Sequence, residues 1–293
     1  MLGSIGPQKD RTPLSKPDSL PSSLSLQCTG EGRFSLLLDA PLCTGARDDR
    51  HLFGGVGTAA AIMAMEALSG QSALWISAQF HAVAKVGQTL EVAQKSVLKG
   101  RSSAQFTLHS QVGGNTVMEA LGATGIAIPL ADDRSWSSLD GVPGPDASQP
   151  VAAHRNADED VHGRFEARQA RGRFGKFSHD PRSTDGKVWV WFRPFSGGID
   201  RPTLAIIADF LPACTSNALG IRSGGRSMDN LMRFVRLVPT EWVLAEYHIV
   251  GVANGVGHGT ATLYAEDGTL LAFGSQSFRL SITPRASEIA AGA

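Results

Sequence analysis

Hydrophobic positions along this chain follow two rhythms. Residues 33–38 (RFSLLL) and 187–192 (KVWVWF) are alternating or apolar runs that predict strands. Residues 55–69 and 203–219 instead carry apolar side chains at nearly every position and predict helices. In the first, Ala59, Ala60, Ala61, Ile62, Met63, Ala64, Met65 and Leu68 stand against only Thr58 and Glu66; the second carries Leu204, Ala205, Ile206, Ile207, Ala208, Phe210 and Leu211. A helix apolar on every face must be surrounded by other structure. Further along each half, strand-like runs at 106–110 and 116–120 flank Gly113-Gly114, and runs at 260–265 and 269–273 flank Asp267-Gly268. Such pairs predict type I′ hairpins, in which both central residues need φ > 0.

The two halves are copies of one plan. A shift of 154 residues lays 33–38 on 187–192, Phe80 on Phe234, Leu90 on Leu244, and Gly114 on Gly268. Each copy reads as strands, one buried helix, then antiparallel strands able to curl around it, an arrangement known as a hotdog fold. The expected class is therefore α+β, a double hotdog of two tandem units, each a curved antiparallel sheet wrapped around one central helix. A flexible Pro/Ser-rich leader is expected over residues 1–24, the first hotdog over 25–128, a polar linker over 129–162, the second hotdog over 163–285 and a flexible tail over 286–293. Residues 163–168 should open the second unit as 25–29 open the first.

Composition removes several function classes. Lys plus Arg equals Asp plus Glu at 27 each, so no global field draws the protein to nucleic acid or to an anionic membrane. Cys28, Cys43 and Cys214 are widely spaced, without a C-x-x-C pair, which speaks against a disulfide framework or a zinc ribbon. With no signal-peptide run and no window near the roughly 20 apolar residues of a membrane span, a cytoplasmic protein is expected. Gly55-Val56-Gly57-Thr58-Ala59-Ala60 fits a dinucleotide fingerprint, but polar residues 45–51 precede it where a buried strand is needed, and residues 74–80 supply no acid for the ribose. The glycines read instead as places where the curved sheet approaches the helix backbone, with the N–H groups of the helix start free to polarise a bound oxygen. Ser178-His179-Asp180 looks catalytic on paper, yet triad members meet in space and not as sequence neighbours. A serine hydrolase built on Gly225-Arg226-Ser227-Met228-Asp229 lacks the final glycine of G-x-S-x-G.

Chemistry should lie where the copies differ. The repeat register sets Asp209 against Gly55, Ser227 against Ala73 and Gln276 against Gly122. A carboxylate among Ala205–Pro212 must be hydrogen-bonded or face a polar pocket, and Pro212 removes the usual donor to the Ala208 carbonyl, bending the helix at the carboxylate. Asp209, Ser227 and Gln276 together can hold one water molecule, the carboxylate taking its proton.

These residues make the chain resemble the double-hotdog acyl-CoA thioesterases of the bacterial thioesterase II type, from about Ser25 to Leu280. The resemblance is carried by His51-Leu52-Phe53-Gly54-Gly55 entering the first helix, Gly100-Arg101-Ser102-Ser103, Ala208-Asp209-Phe210-Leu211-Pro212, Ser227-Met228-Asp229-Asn230 with Phe234, and Ser275-Gln276-Ser277. The chain departs from the family at residues 84–87 (AKVG) and 236–239 (RLVP), where Arg-Pro pairs are usual. The resemblance implies that Asp209, Ser227 and Gln276 activate the water that hydrolyses an acyl-CoA thioester, without metal or cofactor, Asp209 acting as base. His51, Gly54 and Gly55 are the expected substrate and oxyanion contacts, and a homo-oligomer such as a dimer of double hotdogs is expected. The alternatives are a hotdog enoyl-CoA hydratase or dehydratase, for which His258 in Gly255-Val256-Gly257-His258-Gly259 is the best histidine, and a non-catalytic acyl-CoA binding protein.

Overall fold

The computed structural model describes residues 24–126, 134–136, 139, 141–151, 159–175 and 185–282. The expected leader apart from Leu24, the expected tail, and Ser178-His179-Asp180 lie outside them. The first half runs β1 (Gln27–Gly30), β2 (Arg33–Leu37), β3 (Cys43–Thr44), β4 (His51–Leu52), α1 (Gly54–Ser69), β5 (Ser72–Phe80), β6 (Thr89–Lys99), β7 (Ser103–Val112) and β8 (Asn115–Gly125). The second runs β9 (Gln149–Pro150), β10 (Phe165–Arg171), β11 (Lys187–Pro194), α2 (Arg201–Ala208), α3 (Thr215–Leu219), β12 (Ser223–Ser227), β13 (Asp229–Phe234), β14 (Val243–Ala253), β15 (Val256–Ala265) and β16 (Leu270–Ile282).

All the strands except the β3–β4 ribbon join one 14-stranded sheet in the order β1-β2-β6-β7-β8-β5-β13-β16-β15-β14-β11-β10-β9, with β12 also on β16. The order reads the same from both ends once each strand is replaced by its repeat, apart from the added β9. The halves meet where β5 pairs antiparallel with β13, and Ser77 faces Leu231, the residue that the repeat register sets upon it. A pseudo-two-fold axis therefore passes between those two residues. Within strands the polarity alternates as the pleat requires: in β7, Ala104, Phe106 and Leu108 are buried while Gln105 is exposed. Inward side chains of both halves of the sheet and of α1 and α2 form one continuous core, which takes in Leu36, Ile62, Met65 and Ile76 from the first half and Leu204, Ile207, Tyr247 and Phe278 from the second. Leu24, the last residue of the expected leader, is buried in it too.

Three features differ from the sequence reading. Gly113 and Gly114 both take positive φ (55° and 81°), but in the second hairpin only Gly268 does (85°). There the Ala265 N–H donates to the Thr269 carbonyl and the Gly268 N–H to the Ala265 carbonyl, so three residues make the turn and glycine serves the bulge after it. Part of the expected linker belongs to the second unit. The Trp191 indole donates to the Pro143 carbonyl (2.8 Å), β9 pairs with β10, and Leu139 and Val142 cover a small outer core of Trp191, Trp242, Leu244 and Tyr264.

The third difference concerns the second helix, which is broken rather than continuous over 203–219. Asp200 caps its start by accepting the Thr203 N–H (2.7 Å), and α2 ends at Ala208. Asp209 and Phe210 have ψ near 0°, a tight turn over Leu211–Cys214 follows, and α3 completes the segment. Pro212 has no N–H to continue the α pattern. The last turn is closed by the Phe210 N–H on the Ile207 carbonyl (3.2 Å), which also accepts the buried Tyr247 hydroxyl (2.6 Å).

Candidate active site

The break in the second helix puts Asp209 where α2 meets the start of α1. Gly55 and Asp209, equivalent positions of the two repeats, touch across the pseudo-two-fold axis: the Gly55 N–H donates to Asp209 Oδ2 at 2.6 Å. Helix α1 reaches this contact because Gly55 lacks a side chain. A Cβ there would lie 2.8 Å from the Ala205 carbonyl oxygen, the Ile206 Cα and the Asp209 Cβ. The crowding thus comes chiefly from the backbone of α2, whereas the sequence suggested the sheet; at Gly54 the sheet does contribute, through Phe80.

The other carboxylate oxygen faces two strands. Ser227 ends β12, and its hydroxyl donates to Asp209 Oδ1 at 3.0 Å. Gln276, on the inward face of β16, donates from Nε2 to the Ser227 hydroxyl oxygen (2.8 Å) and to Asp209 Oδ1. Asp209, Ser227 and Gln276 are thereby brought together as the repeat asymmetry predicted. Four donations converge as a directed chain, amide to hydroxyl to carboxylate, with a helix-start N–H on the far oxygen. Asp209 is 2% exposed. Burial pushes its carboxyl from 3.8 up to about 7, and the hydrogen bonds from Gly55, Ser227 and Gln276 hold it from rising further. A carboxylate that exchanges its proton near neutrality, with its orientation fixed, is equipped for general base chemistry.

The remaining expected residues fare differently. The Gly55 N–H binds Asp209 and so is not a free oxyanion donor. His51 in β4 turns its imidazole to the Asp49 carbonyl (Nδ1 to oxygen 3.3 Å) and against Gly45, away from the carboxylate. His258 pairs across the sheet with Ser277, its Nδ1 3.1 Å from that hydroxyl, in an exposed position. Because successive strand residues point to opposite faces, Ser277 and His258 are on the far side of the sheet from Gln276 and Asp209. A His258–Asp209 dyad for hydratase chemistry is therefore excluded. The glycines flanking His258 answer to crowding: a Cβ on Gly257 would be 2.3 Å from the Phe278 ring, and one on Gly259 would be 2.6 Å from the His248 carbonyl. Among the described residues no group of three or more His, Cys, Asp or Glu is placed to hold a metal ion, and no helix is long and apolar enough to cross a membrane.

Two residues escaped the sequence reading. Tyr247 supports the helix end that presents Asp209. Asn230, 2% exposed, lines the same crevice as Gln276, and the repeat register that found the other three sets it against Ile76, which was signal enough to find it.

Comparison with known proteins agrees with this fold. Residues 143–280 match the family model of the acyl-CoA thioesterase C-terminal domain. Among solved structures, a candidate thioesterase from Novosphingobium aromaticivorans is 28% identical, with a TM-score of 0.78 over 90% of this chain and 100% of that one. A candidate thioesterase II from Thermobifida fusca is 19% identical, with a TM-score of 0.74 over 88% of this chain and 97% of that one. The dehydratase domain of RzxB from Pseudomonas fluorescens is more distant, 13% identical with a TM-score of 0.52 over 84% and 93%. No curated protein matches the sequence. The chain is a double hotdog that resembles the thioesterase II type, and its second unit matches the family model of the acyl-CoA thioesterases, which are thioester hydrolases.

Proposed function

We propose that this protein hydrolyses acyl-CoA thioesters by direct attack of a water molecule held by Asp209, Ser227 and Gln276. The observation that carries the reading is the buried Asp209 carboxylate, poised near pH 7 and fixed by three donors from α1, β12 and β16. In the hydrolytic step Asp209 takes a proton from the water as its oxygen bonds to the thioester carbonyl carbon. The resulting tetrahedral oxyanion collapses by breaking the carbon–sulfur bond, and the proton returns from Asp209 to the departing CoA thiolate. With the Gly55 N–H bound to Asp209, the Gly54 N–H at the start of α1 is the donor proposed for the oxyanion. The match to the acyl-CoA thioesterase C-terminal domain indicates CoA as the thiol.

The test is thiol release from a panel of acyl-CoAs, short to long, by the native protein and by Asp209→Ala. Hydrolysis by the native protein, rising with pH through about 7 and lost in a folded Asp209→Ala protein, is the expected result. A variant that retains full turnover at saturating substrate removes Asp209 from the mechanism. A native protein that binds acyl-CoA but releases no thiol from any member is a binding protein.

A further inference from the structure

The site contains one donor and one acceptor whose partners are missing. Gln276 uses both Nε2 hydrogens, on Asp209 and Ser227, while its Oε1 is buried without a hydrogen-bond partner among the described residues. Asn230 Nδ2 is likewise buried and unpartnered. Strands β13 and β16 pair from Phe234–Ala272 to Leu231–Ser275, and that register continued by one step sets Asn230 across from Gln276, both of them buried. Side chains opposed in this way have Cβ atoms about 5 Å apart. Both residues line a narrow crevice with Ala208, Leu211, Met232 and Ala261, in which there is no room for a water molecule to bridge them. The first repeat has Ile76 opposite Gly122 at the equivalent positions, so both amides belong to the half that carries the carboxylate.

An unpaired buried donor beside an unpaired buried acceptor is satisfied at least cost by a small side-chain rotation that joins them. The join also selects between the two faces of the Gln276 amide. Turned over, the amide would bring Oε1 against the Asp209 carboxylate, oxygen to oxygen, and withdraw a donor from its charged form. We propose that Asn230 is a positioning residue: its Nδ2–H donates to Gln276 Oε1 and holds the amide with Nε2 toward Asp209 and Ser227. The inference rests on Asp209, Ser227 and Gln276 being the catalytic set.

The test is a cycle of Asn230→Leu, Gln276→Met and the double variant, each close to the size of the residue it replaces. Asn230→Leu is expected to lower kcat on the order of tenfold with KM little changed. The acid limb of its pH profile should move upward, because Asp209 loses the steady donation of Gln276. Among the described residues the groups facing that carboxylate are the Gly55 N–H, Ser227, Gln276 and, from β14, the Tyr247 hydroxyl, whose ionisation burial drives well upward. In the Gln276→Met background Asn230→Leu should change neither kcat nor the limb. If Asn230→Leu does not fold, Asn230→Ala is used in its place. Native kcat and pH profile in the folded Asn230 variant, or an equal loss in both backgrounds, overturns the proposal alone. No effect of Gln276→Met on turnover overturns the catalytic set, and the proposal with it.

Discussion

The ionisation of Asp209 should be visible in stability, without any substrate. The carboxyl has an ordinary value of 3.8 and is pushed to about 7 in the fold, mainly by burial. Between these values the unfolded chain releases the proton and the folded protein keeps it, so stability falls as pH rises through this window and levels off above the folded value. At about 1.4 kcal/mol per unit, the full loss is on the order of 4 kcal/mol, of which about 3 kcal/mol lies between pH 5 and pH 8. Asp209→Asn removes the titration. The amide cannot accept at both positions, so an N–H would be set against the Gly55 N–H or lost to Ser227 and Gln276, at a cost of about 1–3 kcal/mol. That penalty does not depend on pH. Urea unfolding of native and variant proteins across the range should therefore show the variant gaining about 3 kcal/mol relative to the native protein from pH 5 to pH 8, whatever its offset at pH 5. A difference constant with pH would mean that Asp209 ionises in the fold as it does in the unfolded chain, and the argument from burial to base strength would fail.

Two further outcomes follow from contacts around the helix ends. Gly55→Ala places a methyl 2.8 Å from two backbone atoms of α2 and from the Asp209 Cβ, so it should cost several kcal/mol and lower the thermal midpoint far more than Gly70→Ala, which meets nothing within 4 Å but must tolerate φ of +65°. Tyr247→Phe removes the hydroxyl that donates to the Ile207 carbonyl; a stability loss of about 1–3 kcal/mol is expected in urea titration, with a fall in kcat that exceeds any change in KM.

Much of this arrangement was legible because a duplicated sequence carries its own reference. Strand periodicity and the repeat register predict two matching units, each of antiparallel strands around a buried helix, and the polar residues of the second half without polar counterparts in the first proved to be neighbours. The failures have local causes. Asp267-Gly268 predicts a two-residue turn, but a single positive φ at Gly268 fits a three-residue loop equally well, and only the pairing of Ala265 with Thr269 decides between them. His51 was carried by its place in HLFGG; nothing in that pattern fixes the direction of a side chain in a two-residue strand held by the β3–β4 ribbon. The register sets Asn230 on Ile76, but a lone amide among strand residues looks solvated until its depth is known.

The asymmetry itself has a geometric origin. Residues that the repeat makes equivalent must face each other wherever the pseudo-two-fold axis passes, as Ser77 faces Leu231 in the sheet and Gly55 faces Asp209 between the helices. At the helix contact a Cβ on Gly55 would come within 2.8 Å of the Asp209 Cβ, so that crossing has room for one side chain and not for two. Two aspartates there would clash before their charges met. Once one half holds the carboxylate, the other must supply glycine, and its freed backbone N–H becomes a hydrogen-bond donor to the acid it faces. The donors from β12 and β16 then have a target in one half only. Ala73 and Gly122, at the equivalent positions of the first half, have no carboxylate to hold, and the Met65 sulfur lies where a Cβ on Gly122 would come within 2.6 Å of it. One site per double hotdog is thus a consequence of how closely the two helices cross.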